Sequence, residues 1–349
     1  MRADIVLIGF GSVGRRFARL LEERDAVLRR DHDLEHRIVG VATHRHGAAF
    51  AASGLDMPAM LRARDEGRPL AESAPGLSSG VGDSIARLAA SSAPLRVVVE
   101  TTPLAITDGQ PAIGHIEAAL DAGCDAITAN KGPAAFAYRR LRDQADRADR
   151  SFLFEGAVMD GVPIFNLVRD TMPAIAFRGF RGIVNSTTNH ILSALEDGEG
   201  FAPALARMQA EGIAESDASL DVDGWDAAAK TAALANVLMD ANLTPHDIDR
   251  TGIGPEAASA ARGARDAGRR LRLIASAARG PDGRVSASVR PEALEGDDLL
   301  AQVRGKANAL ILHTDLLGDV AIHQLGGNLT MTAYALLSDL ITVRRRAGD

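Results

Sequence analysis

Cysteine is almost absent from this chain. A single residue, Cys124, leaves no intramolecular disulfide and no cysteine-based zinc site. That usage fits a reducing compartment. Aromatic residues make up only 4%, and basic residues are outnumbered, with 39 Lys and Arg against 46 Asp and Glu. A net charge of −7 argues against a surface built to coat nucleic acid, because phosphate neutralisation needs a basic face. It leaves room for a small anion in a local basic pocket. No apolar run approaches the roughly 20 residues of a membrane span. The opening run, Ile5 to Ile8, is too short for a signal-peptide core and ends in glycines. These absences point to a cytoplasmic chain with no membrane and no nucleic-acid partner. An apolar content of 46% excludes disorder as the main state. At 349 residues the chain is long for one core, so two domains are expected.

What is present begins with alternation. Ile5–Ile8, Arg37–Ala42, Arg96–Glu100, Asp125–Ala129 and Phe152–Glu155 read as short strands. Val13–Glu23, Ile113–Ala122 and Ala134–Arg150 read as helices between them. This alternation predicts an α/β fold with a parallel, doubly wound sheet. After Gly156 the texture changes. Phe177–Val184, Val285–Val289 and Ala309–His313 suggest a second sheet, and an Ala-rich helix runs from about Trp225 to Met239. The expected division is a first domain over 1–155 and a second over 156–331. A last helix, about 332–349, is expected to return to the first domain. Glu66–Asp83, rich in Gly, Ser and Pro, reads as a surface loop.

Gly9-Phe10-Gly11-Ser12-Val13-Gly14 follows the first strand and opens a helix. In this G-x-G-x-x-G spacing the first glycine permits a tight turn. The second lets the backbone approach a pyrophosphate, and the third lets helix and strand pack closely. A nucleotide-binding loop is favoured over a plain turn because strand, loop and helix agree. The second strand ends in Thr43-His44-Arg45-His46, with no carboxylate to hold a ribose 2′-hydroxyl. A guanidinium suits a 2′-phosphate, so NADP is expected over NAD. A solvated basic loop, or a metal held by His44 and His46, are the poorer readings.

A second concentration of chemistry runs from Glu215 to Lys230. Asp226 and Lys230 stand four apart, on one face of the most apolar helix in the chain. Most such pairs are surface salt bridges worth about 0.3–0.5 kcal/mol. On so apolar a helix the pair is expected to be partly buried, which tunes a lysine for proton transfer. Lysine is scarce here, and Lys131 follows a strand in Asn130-Lys131-Gly132-Pro133. The carboxyl ends of strands line the crevice of a doubly wound sheet, so Lys131 is a second site candidate.

Taken together, these motifs resemble homoserine dehydrogenase. The resemblance rests on Gly9–Gly14, Thr128–Pro133, Glu155–Pro163, Gly182–Asn189 and the acidic segment ending in Lys230, in that order. It implies a Rossmann-type dinucleotide-binding domain joined to a mixed α/β substrate and dimerisation domain, in the short form of the family. It implies NAD(P)-dependent interconversion of L-homoserine and L-aspartate 4-semialdehyde, in a homodimer serving threonine and methionine biosynthesis. Lys230 would be the general acid/base, Asp226 would orient it, and Lys131 would assist beside the reacting carbon. Glu215 and Asp221 would hold the substrate ammonium, with Asn185, Ser186 and Thr187 lining the pocket. Thr101, Thr102, Asn130, Lys131 and Gly327 would lie against the cofactor with Gly9–Gly14, Thr43, His44 and Arg45. The backbone around Glu155, Val158, Asp160 and Val162 would match a monovalent-cation site for Na+ or K+. Ser186 stands where the family usually has Gly, Ala218 where it has Pro, and Ile213 where Tyr is common. Two alternatives follow: a dehydrogenase of another small hydroxy acid or amino alcohol, and a nucleotide-binding sensor without chemistry.

Overall fold

The computed structural model describes residues 1–70, 77–78, 80–210 and 218–348. The chain divides into two compact units. The first comprises Met1–Pro133, Arg139–Asn166 and Asn328–Asp349, and the second Ala134–Tyr138 and Leu167–Gly327.

The first unit holds a seven-stranded sheet. Its strands are β1 (Arg2–Ile8), β2 (Glu35–Ala42), β3 (Ala48–Phe50), β4 (Leu77–Ser78), β5 (Leu95–Glu100), β6 (Asp125–Thr128) and β7 (Phe152–Leu153). They lie in the order β4-β3-β2-β1-β5-β6-β7. β2, β1, β5, β6 and β7 are parallel, and β3 and β4 extend one edge antiparallel. The chain winds outward from β1 through β2, then crosses back to β5 on the other side. That reversal beside β1 is where a doubly wound sheet opens its ligand crevice. Six helices follow in chain order: α1 (Ser12–His32), α2 (Met57–Asp65), α3 (Val81–Ala89), α4 (Ala112–Asp121), α5 (Lys131–Ala148) and α6 (Ile164–Thr171). Ile5, Leu7, Val97 and Val99 of the central strands share one core with Phe17, Leu21 and Leu28 of α1. Each such side chain contributes about 1.5–3 kcal/mol on burial.

The second unit carries α7 (Ser186–Glu196), α8 (Phe201–Ala210), α9 (Ser219–Val222), α10 (Trp225–Met239) and α11 (Ala257–Asp266). Its strands are β8 (Phe177–Ile183), β9 (Asp249–Arg250), β10 (Arg270–Arg279), β11 (Val285–Leu294), β12 (Asn308–Thr314) and β13 (Asp319–Gln324), in the order β13-β12-β8-β10-β11-β9. All pair antiparallel except β9 with β11. Arg272 of β10 is fully buried, and it donates to Glu196 at 2.7 Å and to the carbonyls of Leu271, Ala301 and Val303. The last helix, α12 (Leu329–Arg346), belongs to the first unit, where Leu336, Leu337, Leu340 and Val343 join its core.

Several boundaries differ from the sequence reading. α1 runs to His32, because the charged stretch after Glu23 still presents Leu28 to the core; Asp33, left-handed at φ 45°, ends it. The first unit reaches Asn166 rather than 155, since the Glu155 carboxylate accepts the N–H groups of Phe165 and Asn166 at 2.9 and 2.6 Å. Phe152–Glu155 is a strand for two residues only, and Glu155 opens a 3-10 turn. The segment Glu66–Asp83 is not loop throughout, for Leu77–Ser78 pairs with β3 and Val81 begins α3. β10 was not foreseen; its Leu271 and Leu273 alternate with arginines that resemble a solvated face, yet Arg272 is buried against Glu196.

Candidate active site

The loop after β1 is shaped by close approach. Gly9 sits at φ +89°, and a Cβ there would lie 2.8 Å from the Thr101 carbonyl. A Cβ on Gly14 would lie 2.7 Å from the Gly9 carbonyl oxygen. Gly11, in contrast, faces open space, with nothing within 4 Å of where its Cβ would be. Two glycines therefore close the loop onto β5, and the middle one leaves a bare backbone surface. Gly11 caps α1 with no side-chain hydrogen bond, and no acid stands in the first turn with Ser12 and Val13. The exposed N–H groups and the helix dipole favour an anion there. Phe10 is 2% exposed and lies in the core, so only its backbone borders this surface.

Thr43 to Gly47 form a tight turn after β2. The Thr43 N–H donates to Gly47 O at 2.9 Å, and the Thr43 hydroxyl accepts from His46 N at 2.9 Å. His44 and Arg45 project from it, exposed. Among the described residues, no group of three or more His, Cys, Asp or Glu is arranged for a metal, which leaves His44 and His46 without a third ligand.

The ends of β5 and β6 are tied together. The Thr101 hydroxyl donates to Gly9 O at 3.0 Å, and its N–H donates to Ile8 O at 2.7 Å. Asn130 caps α5 by accepting the Gly132 N–H at 2.8 Å, and donates to Thr102 O and Pro103 O at 2.9 and 3.1 Å. Both Asn130 amide hydrogens are thus committed within the protein. The hydroxyl of Thr102 donates to Glu100. These three side chains tie the strand ends together. Lys131, partly exposed, is the first residue of α5.

The second unit gathers Asn185, Thr187, Asp221, Asp226 and Lys230. Lys230 Nζ lies 2.9 Å from Asp226 and donates to Val184 O at 2.7 Å. Both side chains are only 15% exposed, so this pair on α10 is no surface salt bridge. Asn185 caps α7 by accepting the Thr188 N–H at 2.8 Å. Its amide donates to Asp221 at 2.7 Å and to Asp226 at 2.8 Å. The cap fixes the amide orientation, because a flipped amide would aim its oxygen at two carboxylates. Burial raises the Asp221 carboxyl above its usual range, and the neighbouring Asp226 adds to the rise; Asn185, Lys230 and Thr187 oppose it. Ser186 begins α7 beside this group and is partly exposed. Glu215 and Ile213 lie outside the described residues.

The acids near Pro163 make bonds of their own. Glu155 is 1% exposed and caps α6, while Asp160 accepts the Thr332 hydroxyl at 3.2 Å. The Val162 carbonyl accepts from Ile164 at 2.8 Å. These bonds engage both carboxylates, and Val158 between them in the chain is fully buried. Gly327 lies exposed in the turn before α12. Sequence reasoning missed Glu100, although an acid ending the all-valine run Val97–Val99 was a signal for it.

The comparisons agree with both units. The family model for the homoserine dehydrogenase NAD binding domain matches residues 9–155, and the model for homoserine dehydrogenase matches 163–341. The NAD(+)-dependent homoserine dehydrogenase of Pseudomonas canavaninivorans is 35% identical over 98% of this chain and 96% of its own. The homoserine dehydrogenase of Methanocaldococcus jannaschii is 33% identical over 97% and 98%. Among solved structures, the homoserine dehydrogenase of Thermoplasma acidophilum superposes with a TM-score of 0.81 at 25% identity, covering 99% of this chain and 100% of that one. A hyperthermophilic archaeal homoserine dehydrogenase in complex with NADPH gives a TM-score of 0.79 at 26% identity over 98% of each chain. A glycine loop at the switch point of one unit and a buried acid–lysine cluster in the other thus sit within a full-length match, and the chain belongs to the homoserine dehydrogenases, NAD(P)-dependent oxidoreductases acting on a CH–OH group.

Proposed function

We propose that this enzyme reduces L-aspartate 4-semialdehyde to L-homoserine, and runs the reverse oxidation, with NADP preferred and Lys230 as the proton donor and acceptor. The observation that carries the reading is the buried contact of Lys230 with Asp226 and the Val184 carbonyl. The nicotinamide cofactor, when bound, supplies or accepts the hydride. In reduction, the Lys230 ammonium gives a proton to the aldehyde oxygen as it gains negative charge, and the product hydroxyl forms. In oxidation, the neutral amine takes that proton back. Asp226 and Val184 O hold Nζ in one place for this exchange, and Asn185 holds Asp226. Asp221 and Asp226 carry two negative charges against one on Lys230, so the cluster has one in excess for the substrate ammonium. Asp221 takes that part, joined by Glu215, while Ser186 and Thr187 border the substrate. Lys131 assists at the reacting carbon.

The glycine loop, Thr101, Thr102, Asn130 and Gly327 form the cofactor surface, and Arg45 takes the 2′-phosphate. The carboxylate-free turn at Thr43–Gly47 supports NADP; the NAD(+)-dependent Pseudomonas relative points the other way. Steady-state turnover of L-homoserine with each cofactor tests both claims. A higher kcat/KM with NADP is expected, and equal or better turnover with NAD rejects the preference. No turnover with either, in protein that binds cofactor, rejects the substrate and favours a related hydroxy acid selected by Ser186. The working form is a homodimer, which light scattering checks.

A further inference from the structure

We propose that Glu100 is a positioning residue for this reaction: it locks the loop after β5 to the loop that carries Asn130 and Lys131. The inference rests on the proposed roles of those loops at the cofactor. Glu100 ends β5 and is fully buried. One carboxylate oxygen accepts the Thr102 N–H at 2.8 Å and also the Thr102 hydroxyl. The other accepts the Thr128 hydroxyl at 2.7 Å. Thr128 in turn accepts the Asn130 N–H at 2.9 Å, and Asn130 donates back to Thr102 O at 2.9 Å. The ring closes through four residues and five hydrogen bonds on two strand ends. The Ala129 N–H donates to the Glu100 carbonyl at 3.2 Å and reinforces it.

Burying a carboxylate is expensive, and an apolar residue here would extend Val97–Val99 at no such cost. The acid is therefore not what sheet stability favours. No guanidinium or ammonium lies within 4 Å of it among the described residues; its nearest basic atom is His115 Nδ1, at 3.9 Å and without a hydrogen-bond partner. What the carboxylate does is accept three hydrogens at once in fixed directions, which an amide cannot reproduce. In a Gln at this position the NH2 group donates toward Thr128, whose hydroxyl oxygen already accepts from Asn130. The Thr128 hydroxyl hydrogen then loses its acceptor, and the Asn130 loop loosens. Thr101 keeps its own bonds to Gly9 and Ile8, so the glycine loop stays formed.

The test is Glu100→Gln, followed by hydrogen exchange and kinetics, with Thr102→Val as a second, milder variant. Amides in 100–104 and 128–133 should exchange at least about tenfold faster, with 9–14 unchanged. The kcat on homoserine should fall by roughly 10–100-fold with KM for homoserine little changed. Thr102→Val should lie between parent and Glu100→Gln. Unchanged exchange, or kcat within about threefold of the parent, overturns the proposal. So does faster exchange throughout the unit, 9–14 included, which marks a merely structural acid. If the parent itself fails to turn over homoserine, the functional reading falls, and the exchange pattern still decides for or against the lock.

Discussion

Asn185→Ala is the most telling single perturbation of the acid–lysine cluster. It removes three things at once: the cap of α7, a hydrogen bond to Asp221 and one to Asp226. A lost cap costs about 1 kcal/mol. Each hydrogen bond to a charged group contributes about 1.5–3 kcal/mol. Their sum, roughly 4–7 kcal/mol, is an upper bound, because Asp226 is 15% exposed and water replaces part of what is lost. A destabilisation of about 2–4 kcal/mol is expected. Its pH dependence identifies the cause. Asn185 opposes the rise of the Asp221 carboxyl, so without it that group titrates higher still in the folded state. A carboxylate raised above its unfolded value of 3.8 binds more protons folded than unfolded, and stability falls as pH rises through that window. The mutant should therefore lose more at about pH 8 than at about pH 5. Urea unfolding followed by Trp225 reads the second unit directly, because Trp225 starts α10 and is the only tryptophan. A loss below about 1 kcal/mol, or the same loss at both pH values, would refute the claim that Asn185 holds two ionised carboxylates.

Three further outcomes follow from the same geometry. Lys230→Ala should lower kcat by roughly 10²–10⁴-fold with cofactor affinity unchanged, and near-normal turnover would remove it from proton transfer. Asp221→Asn should raise KM for homoserine by about 10–100-fold while stabilising the empty protein by about 0.5–2 kcal/mol, since the burial and repulsion acting on its charge disappear; an unchanged KM counts against an ammonium site. Arg45→Ala should cost NADP about tenfold or more in kcat/KM and leave NAD unaffected, whereas equal losses would deny Arg45 a phosphate.

The parallel sheet was legible because its strands are short apolar runs that end in glycines or turn residues. Gly9–Gly14 was legible for the same reason, since close approach leaves no alternative to glycine at positions 9 and 14. The i,i+4 spacing put Asp226 and Lys230 on one helix face, and the apolar helix around them implied partial burial, as found. Asn185 was foreseen as a pocket residue, but its bonds to both carboxylates link β8–α7 to α9 and α10 across some forty residues of chain, which no local pattern encodes. The cap on α6 was not foreseen for a related reason: the Glu155 carboxylate serves N–H groups ten and eleven residues downstream. Arg272 shows the limit of alternation: the pattern cannot separate an exposed arginine from one buried against Glu196.

The acids withdrawn from water differ in what neutralises them, and Asp221 is one without a cation of its own. Asp4 is held by Arg37 at 2.8 and 2.9 Å and Glu196 by Arg272 at 2.7 Å, so each has a fixed positive partner. Glu155 is complete through two N–H groups at a helix start. Asp221 shares one lysine with a second acid, and burial and that acid both disfavour its charge. A ligand bearing an ammonium group restores the balance, and by linkage it must favour the ionised form of Asp221. KM for homoserine should therefore fall as pH rises through the raised folded value of Asp221, and level off once that carboxyl is ionised in the free enzyme. In Asp221→Asn the fall should vanish, with any remaining slope at another pH. A parent KM that stays flat across the window would mean that the substrate ammonium is held by groups other than Asp221.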